Sequence, residues 1–513
     1  MNSKPIGVIV GESSPLYSTV LFDAGHERRP RIGMYLTTET EEGRILGIVE
    51  ALRAGNPLIP EEVNSIQHVI SMNEYRDIDD KKYLRGIVQW FSLLDPLADG
   101  GVVRSPTIPP APSSRVYPAP TNVLRRIFSP SEKGWITIGS LLSDPDVPFG
   151  VNVDMLSRHL AILAVTGGGK SNTVCILAGK LVGELGGTLV VFDMHGEYSS
   201  MDLGDIMNVQ RPLINPVNLG FDELKTMMRI PENAHNQERV LREAWGKVRE
   251  ERLKDKLGAD EIMDELGNVL EAMKAAASRQ GSKDTSTVNA VQGVLNRLND
   301  LMDYYGDVLS GNAPVSLEEY IVPGKLNIID LSSVDERAAD AVVSHYLRRL
   351  LQGRKDYVRS RGARGYPVPV IAFIEEAHIL VPSHAGTLTK YWASRIAREG
   401  RKFQVGIALV SQRPKNVDPD VLSQTNNKII LKIVEPSDLR YVQSATEQMS
   451  DNIRDMLPGL NPGEAVVVGM MTKLPAIVRI EYCKAKKTGG DTSLVRLWEE
   501  YRRNTGIDTS EIL

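Results

Sequence analysis

Cysteine is almost absent from this chain. Only Cys175 and Cys483 occur in 513 residues, and no C-x-x-C pair is present. That argues against a disulfide framework or a zinc site and fits a reducing compartment. Long apolar runs are missing too: none approaches the roughly 20 residues of a membrane span. Met1 to Val10 lacks the charged-then-apolar layout of a signal peptide. The expected location is cytoplasmic, with no membrane partner. An excess of basic charge is also lacking, since the formal net charge is -5. A nucleic-acid partner cannot be argued from bulk charge and needs a local basic surface. What remains is ordinary globular composition, 42% hydrophobic and 24% charged. The length suits roughly three domains.

The densest signal is His159 to Thr173, HLAILAVTGGGKSNT. An apolar run, Leu160 to Val165, meets Thr166-Gly167-Gly168-Gly169-Lys170-Ser171, and an apolar-periodic segment starts at Val174. Strand, glycine-rich turn and helix form the context of a phosphate-binding P-loop. Glycines let backbone N–H groups approach phosphate oxygens, and the helix N-terminus adds partial positive charge. Lys170 would reach the β- and γ-phosphates and Ser171 would ligate Mg²⁺. The nucleotide-binding set is Thr166, Gly167, Gly168, Gly169, Lys170, Ser171, Asn172 and, just upstream, Arg158. By spacing alone Arg158 reads equally as a solvated charge at a strand start. The usual first glycine of the motif is Ala164 here.

Residues 1–104 read as a small β-barrel. Candidate strands are Ile6–Val10, Ser18–Phe22, Met34–Thr38, Ile45–Val49 and Leu84–Trp90, punctuated by glycines. Residues 105–134 hold a proline-rich stretch, Pro106 to Pro120, expected as an extended connector. Residues 135–220 begin an α/β core. After the P-loop its next strand, Thr188–Phe192, ends in Asp193-Met194-His195-Gly196-Glu197, and polar residues there line ligand crevices. Asp193, His195 and Glu197 are therefore additional site candidates; a hydrogen-bonded turn is the other reading.

Residues 221–312 change to helical spacing, with Ile262, Leu266, Val269 and Met273, then Val291, Leu295, Leu298, Met302 and Tyr305. This predicts a helical bundle inserted into the core. The core resumes over 313–485 with strand Leu326–Leu331, helix Asp335–Leu351 and a basic loop holding Arg354, Lys355, Arg359, Arg361 and Arg364. Residues 486–513 form a tail with an amphipathic helix, Ser493–Arg503.

The run Val368–Ile374 ends in two carboxylates, Glu375-Glu376. Burying a carboxylate at a strand end is costly unless something positive pairs with it, and Mg²⁺ beside a P-loop is such a partner. Glu375 fits the metal's shell and Glu376 the activation of water. Leu388–Arg401 reads as a helix with Gly400 as its stop, leaving Arg401 in the turn before strand Val405–Val410. An arginine there suits a finger into a neighbour's nucleotide site, although solvated arginines are commoner. Gln412, at the tip of that strand, is the candidate γ-phosphate sensor. Arg413 and Lys415 beyond it are candidates for a DNA channel. Strands Lys428–Val434, Ala465–Val468 and Ala476–Ile480 would complete the sheet.

Taken in order, L-S-R-H-L-A-I-L, G-K-S-N-T, D-M-H-G-E-Y, I-E-E-A-H, R-E-G-R-K-F and S-Q-R-P resemble the HerA family of the FtsK/HerA group, over essentially the whole chain. The resemblance implies a RecA-like P-loop NTPase core behind an N-terminal barrel, and a ring of six subunits. It implies ATP and Mg²⁺ as cofactors and translocation on double-stranded DNA. A nuclease of the NurA type, docked through the barrel, would act with it in DNA end resection for recombinational repair. It gives Lys170, Ser171 and Glu376 their P-loop and catalytic roles. It also makes Arg158 and Arg401 phosphate-contacting arginines, Arg401 across the subunit boundary. The competing readings are a nucleotide-gated scaffold and a conjugation or secretion ATPase.

Overall fold

Glycine turns and short alternating strands close the N-terminal barrel in the computed structural model of the chain. The structure describes residues 4–23, 25–57, 59, 66–67, 82–129, 132–254, 257–279, 285–446, 449–485, 495–496 and 498–500. The expected tail helix falls largely outside them.

The barrel strands are β1 (Gly7–Ser13), β2 (Tyr17–Phe22), β3 (Tyr35–Thr40), β4 (Gly43–Gly55), β5 (Tyr83–Leu93) and β6 (Arg115–Pro118), closed in the order β1-β2-β5-β4-β3-β6. The sixth strand comes from the proline-rich stretch, so residues 105–134 are more than a connector. They supply β6 and a helix, Thr121–Phe128. Prolines flank β6 and sit where short strand ends tolerate a missing N–H. Inward residues Ile9, Val20, Ile45, Val49, Val88, Trp90 and Val116 fill the interior, and Trp90 Nε1 donates to Ser18 Oγ at 2.9 Å.

The remaining strands are β7 (Trp135–Leu141), β8 (Pro148–Asn152), β9 (Leu160–Leu163), β10 (Leu189–Asp193), β11 (Met207–Gln210), β12 (Leu326–Asp330), β13 (Val370–Ile374), β14 (Val405–Ser411), β15 (Asn427–Ile430), β16 (Glu464–Gly469) and β17 (Ala476–Ile480).

The chain divides into two compact units. The first, Met1–Thr173 with Leu350–Glu481, holds the barrel and the order β13-β14-β9-β15-β16-β17-β7-β8. β13, β14, β9 and β15 run parallel, whereas β16, β17, β7 and β8 alternate. The parallel strands are almost wholly buried, which explains their uninterrupted apolar runs. Their registers align Ile374 with Leu409, and Ser411 and Ile430 with Leu163. Their carboxyl ends therefore share one edge.

The second unit, Val174–Arg349 with Tyr482–Leu513, holds the parallel strands β11-β12-β10 and the helical insertion. The insertion's long helices are His235–Leu253, Ile262–Arg279 and Thr285–Tyr305. The buried face departs from the expected one by single positions. Met263, Leu270 and Ala277 are buried where Val269 and Met273 are only half-buried, and Leu301 is buried where Met302 is 38% exposed. An apolar stripe wider than one ridge explains the slip. Within this unit Glu223 binds His345 Nδ1 at 2.9 Å and Arg348 Nη2 at 2.8 Å. Burial pushes the Glu223 carboxyl up, but His345 and Arg348 outweigh it and hold it low.

The expectation of no disulfide is corrected. Cys175, on the Lys170–Gly183 helix, and Cys483 are joined as a disulfide with Cα atoms 6.1 Å apart. They lie 308 residues apart in sequence. A count of cysteines carries no information about which of them folding brings within bonding distance.

Candidate nucleotide site

Residues Ala164 to Gly169 form the turn between β9 and the helix opening at Lys170. Gly167 and Gly169 have φ of +74° and +108°. Left-handed glycines placed between ordinary residues are the backbone pattern of an anion-binding nest. At Gly169 only glycine fits: a Cβ would lie 3.1 Å from Leu431 Cδ2 and 3.2 Å from the Gly463 nitrogen. Gly463 N–H in turn donates to the Gly168 carbonyl at 3.2 Å. The Ala164 methyl is accommodated for a related reason. Ala164 is fully buried, and a Cβ at Gly168 would come 3.0 Å from its own. A methyl at the first position is tolerated because the fifth has none. Asn172 Nδ2 donates to the Glu481 carbonyl at 2.7 Å, anchoring the first helical turn.

At the same sheet edge β13 ends in Glu375 and Glu376, which are 3% and 4% exposed. Glu376 has φ +44° and ψ +48°, a left-handed conformation uncommon outside glycine and typical of functional strain. Its Oε2 lies 3.1 Å from His378 Nδ1, which is 3.3 Å from Ser411 Oγ at the end of β14. The next residue, Gln412, accepts a hydrogen bond from Thr166 Oγ1 at 2.5 Å. The structure thus brings the glycine-rich turn, the paired carboxylates and Gln412 to the carboxyl ends of neighbouring strands, where ligands bind in open α/β sheets. His378 belongs with them. It was read only as a letter in I-E-E-A-H, and nothing in its spacing reveals the contact to Ser411.

Two arginines lie at the opposite edge. Arg401 is in the last turn of a helix that runs Leu388–Phe403, not in a turn beyond it. Gly400 does not stop that helix; a Cβ there would meet the Val405 carbonyl at 2.4 Å, so the glycine serves close packing. Gln404, in left-handed conformation, is the cap. Arg354, Lys355 and Arg359, expected in a loop, lie on the helix Glu336–Arg359. Arg354 is buried and donates to Phe403 O at 3.0 Å and Gln404 Oε1 at 2.6 Å, fixing the end of the arginine-bearing helix. Arg401 itself is exposed, and its guanidinium makes no hydrogen bond or ion pair among the described residues. Among the described residues the Arg158 guanidinium donates to the Met470 sulfur alone, at 3.0 Å. Arg158 precedes β9 and Arg401 precedes β14, whereas the P-loop follows β9. Four strand residues, about 13 Å, separate the two edges.

The sequence is similar along its length to known proteins. Residues 136–350 match the family described as Helicase HerA, central domain. The chain is 39% identical over 498 residues to the DNA double-strand break repair helicase HerA of Sulfurisphaera tokodaii, covering 96% of each. It is 37% identical to the protein of that name from Saccharolobus solfataricus, covering 98% of this chain and 97% of that one. The chain belongs to the HerA helicase family.

Among solved structures, the plasmid coupling protein TrwB in complex with a non-hydrolysable GTP analogue superimposes with a TM-score of 0.50. It is 15% identical and covers 71% of this chain and 93% of its own, a likeness of fold. The HerA-family chain is accordingly an α/β P-loop NTPase core with an N-terminal barrel and an inserted helical bundle.

Other expected site residues of this HerA member have more local parts to play. Asp193 is fully buried, and its carboxylate accepts N–H groups from Glu197 at 3.1 Å and from Tyr198 and Ser199 at 2.9 Å. It folds the turn that exposes His195 and Glu197. Lys415 Nζ donates to Ser437 Oγ at 2.9 Å. Arg413 is exposed, and its guanidinium has no partner among the described residues.

Proposed function

We propose that this chain is an ATP-driven motor that translocates on double-stranded DNA as a ring, most simply of six copies, and works with a nuclease in end resection for recombinational repair. The observation that carries the reading is the division of the site between two sheet edges. P-loop, carboxylates and Gln412 sit at one edge; Arg158 and Arg401 stand at the other with no carboxylate partner among the described residues. A second copy's arginines would complete the first copy's site, which is the logic of a ring. Relatives named as DNA double-strand break repair helicases support DNA as the track.

ATP fits the glycine-only turn and the helix N-terminus behind it. Ser171 in the first helical turn and buried Glu375 are the groups that would hold Mg²⁺, with phosphate oxygens completing its shell. When bound, the ion neutralises charge developing on the phosphates. Glu376 would orient and deprotonate the attacking water, with the His378 ring beside its carboxylate. Gln412 senses the γ-phosphate, and the neighbour's Arg401 and Arg158 stabilise the transferred group. Lys170 binds the β- and γ-phosphates. Arg413 is the better placed of the two channel candidates to meet DNA phosphates, since Lys415 is held by Ser437. Such contact is sequence-tolerant and weakens with salt. The barrel is the expected dock for a NurA-like nuclease.

ATP turnover measured with and without linear duplex DNA, beside particle mass in solution, tests the reading. Stimulation by duplex DNA from a six-copy particle is expected. Slow turnover indifferent to DNA would replace the motor with a nucleotide-gated scaffold or a secretion-type ATPase.

A further inference from the structure

His159 sits between Arg158 and the first residue of β9, and it is 2% exposed. Its backbone has φ +66° and ψ 155°, a region almost confined to glycine. Glycine would meet that backbone requirement without strain, so the imidazole is what the position adds.

The ring bridges two other elements. Nε2 lies 3.1 Å from the Ala397 carbonyl on the Leu388–Phe403 helix. Nδ1 lies 3.2 Å from the Ile407 nitrogen on β14. A carbonyl only accepts and an amide N–H only donates, so both bonds form together only in the neutral tautomer with hydrogen on Nε2. Ala397 is four residues before Arg401. In α-helical geometry its carbonyl is the one that pairs with the Arg401 amide. The ring therefore holds the last turn that carries Arg401.

Backbone bonds hold the other side. Arg158 O accepts from Asn426 N at 3.2 Å, and His159 O accepts from Asn427 Nδ2 at 2.9 Å. Asn427 Oδ1 then accepts from Met471 N at 2.7 Å, next to the Met470 sulfur that Arg158 touches. One residue thus joins the two elements that carry Arg158 and Arg401, and it does so at the edge away from its own P-loop.

We propose that His159 is a positioning residue that sets Arg158 and the Arg401 turn as one rigid unit for the nucleotide of a neighbouring copy. This rests on the reading above that those arginines act across a subunit boundary. His159 touches no reacting group. Its loss impairs hydrolysis in the adjacent site and leaves nucleotide binding at its own P-loop intact.

The test uses the full-length protein carrying His159→Gly, which suits the backbone and removes the ring. With linear duplex DNA, kcat is expected to fall by about 10- to 100-fold, the scale of a misplaced catalytic group. KM for ATP is expected to stay within about threefold, because uniform binding is untouched. Mixing His159→Gly subunits with Lys170→Ala subunits should regain activity, since the intact P-loop of one meets the correctly set arginines of the other. A purely stabilising histidine gives no such recovery. Arg401→Ala mixed with Lys170→Ala is the parallel control. Recovery in the control but not with His159→Gly overturns the His159 role alone. No recovery in either overturns the trans reading beneath it. Unchanged kcat in His159→Gly also overturns the proposal. His159→Asn, which is no more strained in this backbone than the native histidine and is too short to reach Ala397, serves if the glycine variant does not fold. Failure of both to fold would make His159 a stability element and end the positioning role.

Discussion

The Thr166 hydroxyl donates to the Gln412 side-chain oxygen at 2.5 Å, tying the tip of the P-loop to the end of β14. The amide oxygen is thereby occupied within the chain, and the amide nitrogen is the end free to report on phosphate. Gln412→Met keeps the side-chain length and loses the donor without setting a negative charge beside the phosphates. ATP affinity is expected to change by less than about threefold while kcat falls at least about tenfold, the pattern of an interaction made in the transition state. Equal losses in binding and turnover, read by nucleotide titration and steady-state kinetics, would remove Gln412 from the sensing role.

In the proposed mechanism Glu376 and Lys170 act at different stages of one cycle. Lys170→Ala is expected to lose both ATP binding and DNA-stimulated hydrolysis. Glu376→Gln is nearly isosteric and should bind ATP while hydrolysing it at least about 100-fold more slowly, the lower end of what a general base contributes. Full turnover by Glu376→Gln would take that residue out of the mechanism.

Arg158 shares the amino-terminal edge with Arg401, so it too should act on a neighbour. Arg158→Ala alone is expected to lower kcat by about tenfold or more, as removal of one charged phosphate contact does. Mixed with Lys170→Ala subunits, it should regain part of that activity. If the mixture stays inactive while the Arg401→Ala mixture recovers, Arg158 serves its own subunit.

Burial depresses the His159 imidazole from its ordinary value of 6.5 to about 4, with the Ala397 hydrogen bond opposing the shift only partly. The folded-state value lies below the unfolded one. Stability from keeping the ring neutral is therefore complete above pH 6.5 and is lost as pH falls toward 4, where the unfolded chain takes up a proton first. The loss amounts to about 3 kcal/mol by linkage. Thermal unfolding from pH 7 to 4 should fall more steeply for the native sequence than for His159→Asn. Parallel slopes would mean that the ring titrates normally.

Much of the site was legible because it is written in contiguous residues. Gly-Gly-Gly-Lys-Ser at a strand-to-helix boundary and two carboxylates after an apolar run are local patterns, and local patterns survive without tertiary information. The barrel was legible from glycine-punctuated strands, but not its sixth strand. Prolines near Arg115–Pro118 argue for a connector until the edges of β1 and β3 are seen to need a partner. Gly400 read as a helix stop because glycine usually ends helices; only the approach of the Val405 carbonyl reveals that it serves packing. Arg354 read as part of a basic loop, yet four acceptors brought from elsewhere in the chain satisfy its guanidinium in the interior.

By itself the sequence determined that this is a P-loop protein of the HerA family, with a glycine-rich strand-to-helix turn at Ala164–Ser171 and an acidic pair at Glu375-Glu376. Tertiary structure alone decided what stands opposite them. Parallel pairing of β14 and β15 with β9 sends Gln412 to the P-loop edge and leaves Arg158 and Arg401 at the other. The same pairing places the His159 ring between Ala397 and Ile407, residues 238 and 248 positions away. Strand order and ring contacts depend on which segments fold against one another, and the spacing of residues along the chain does not encode it.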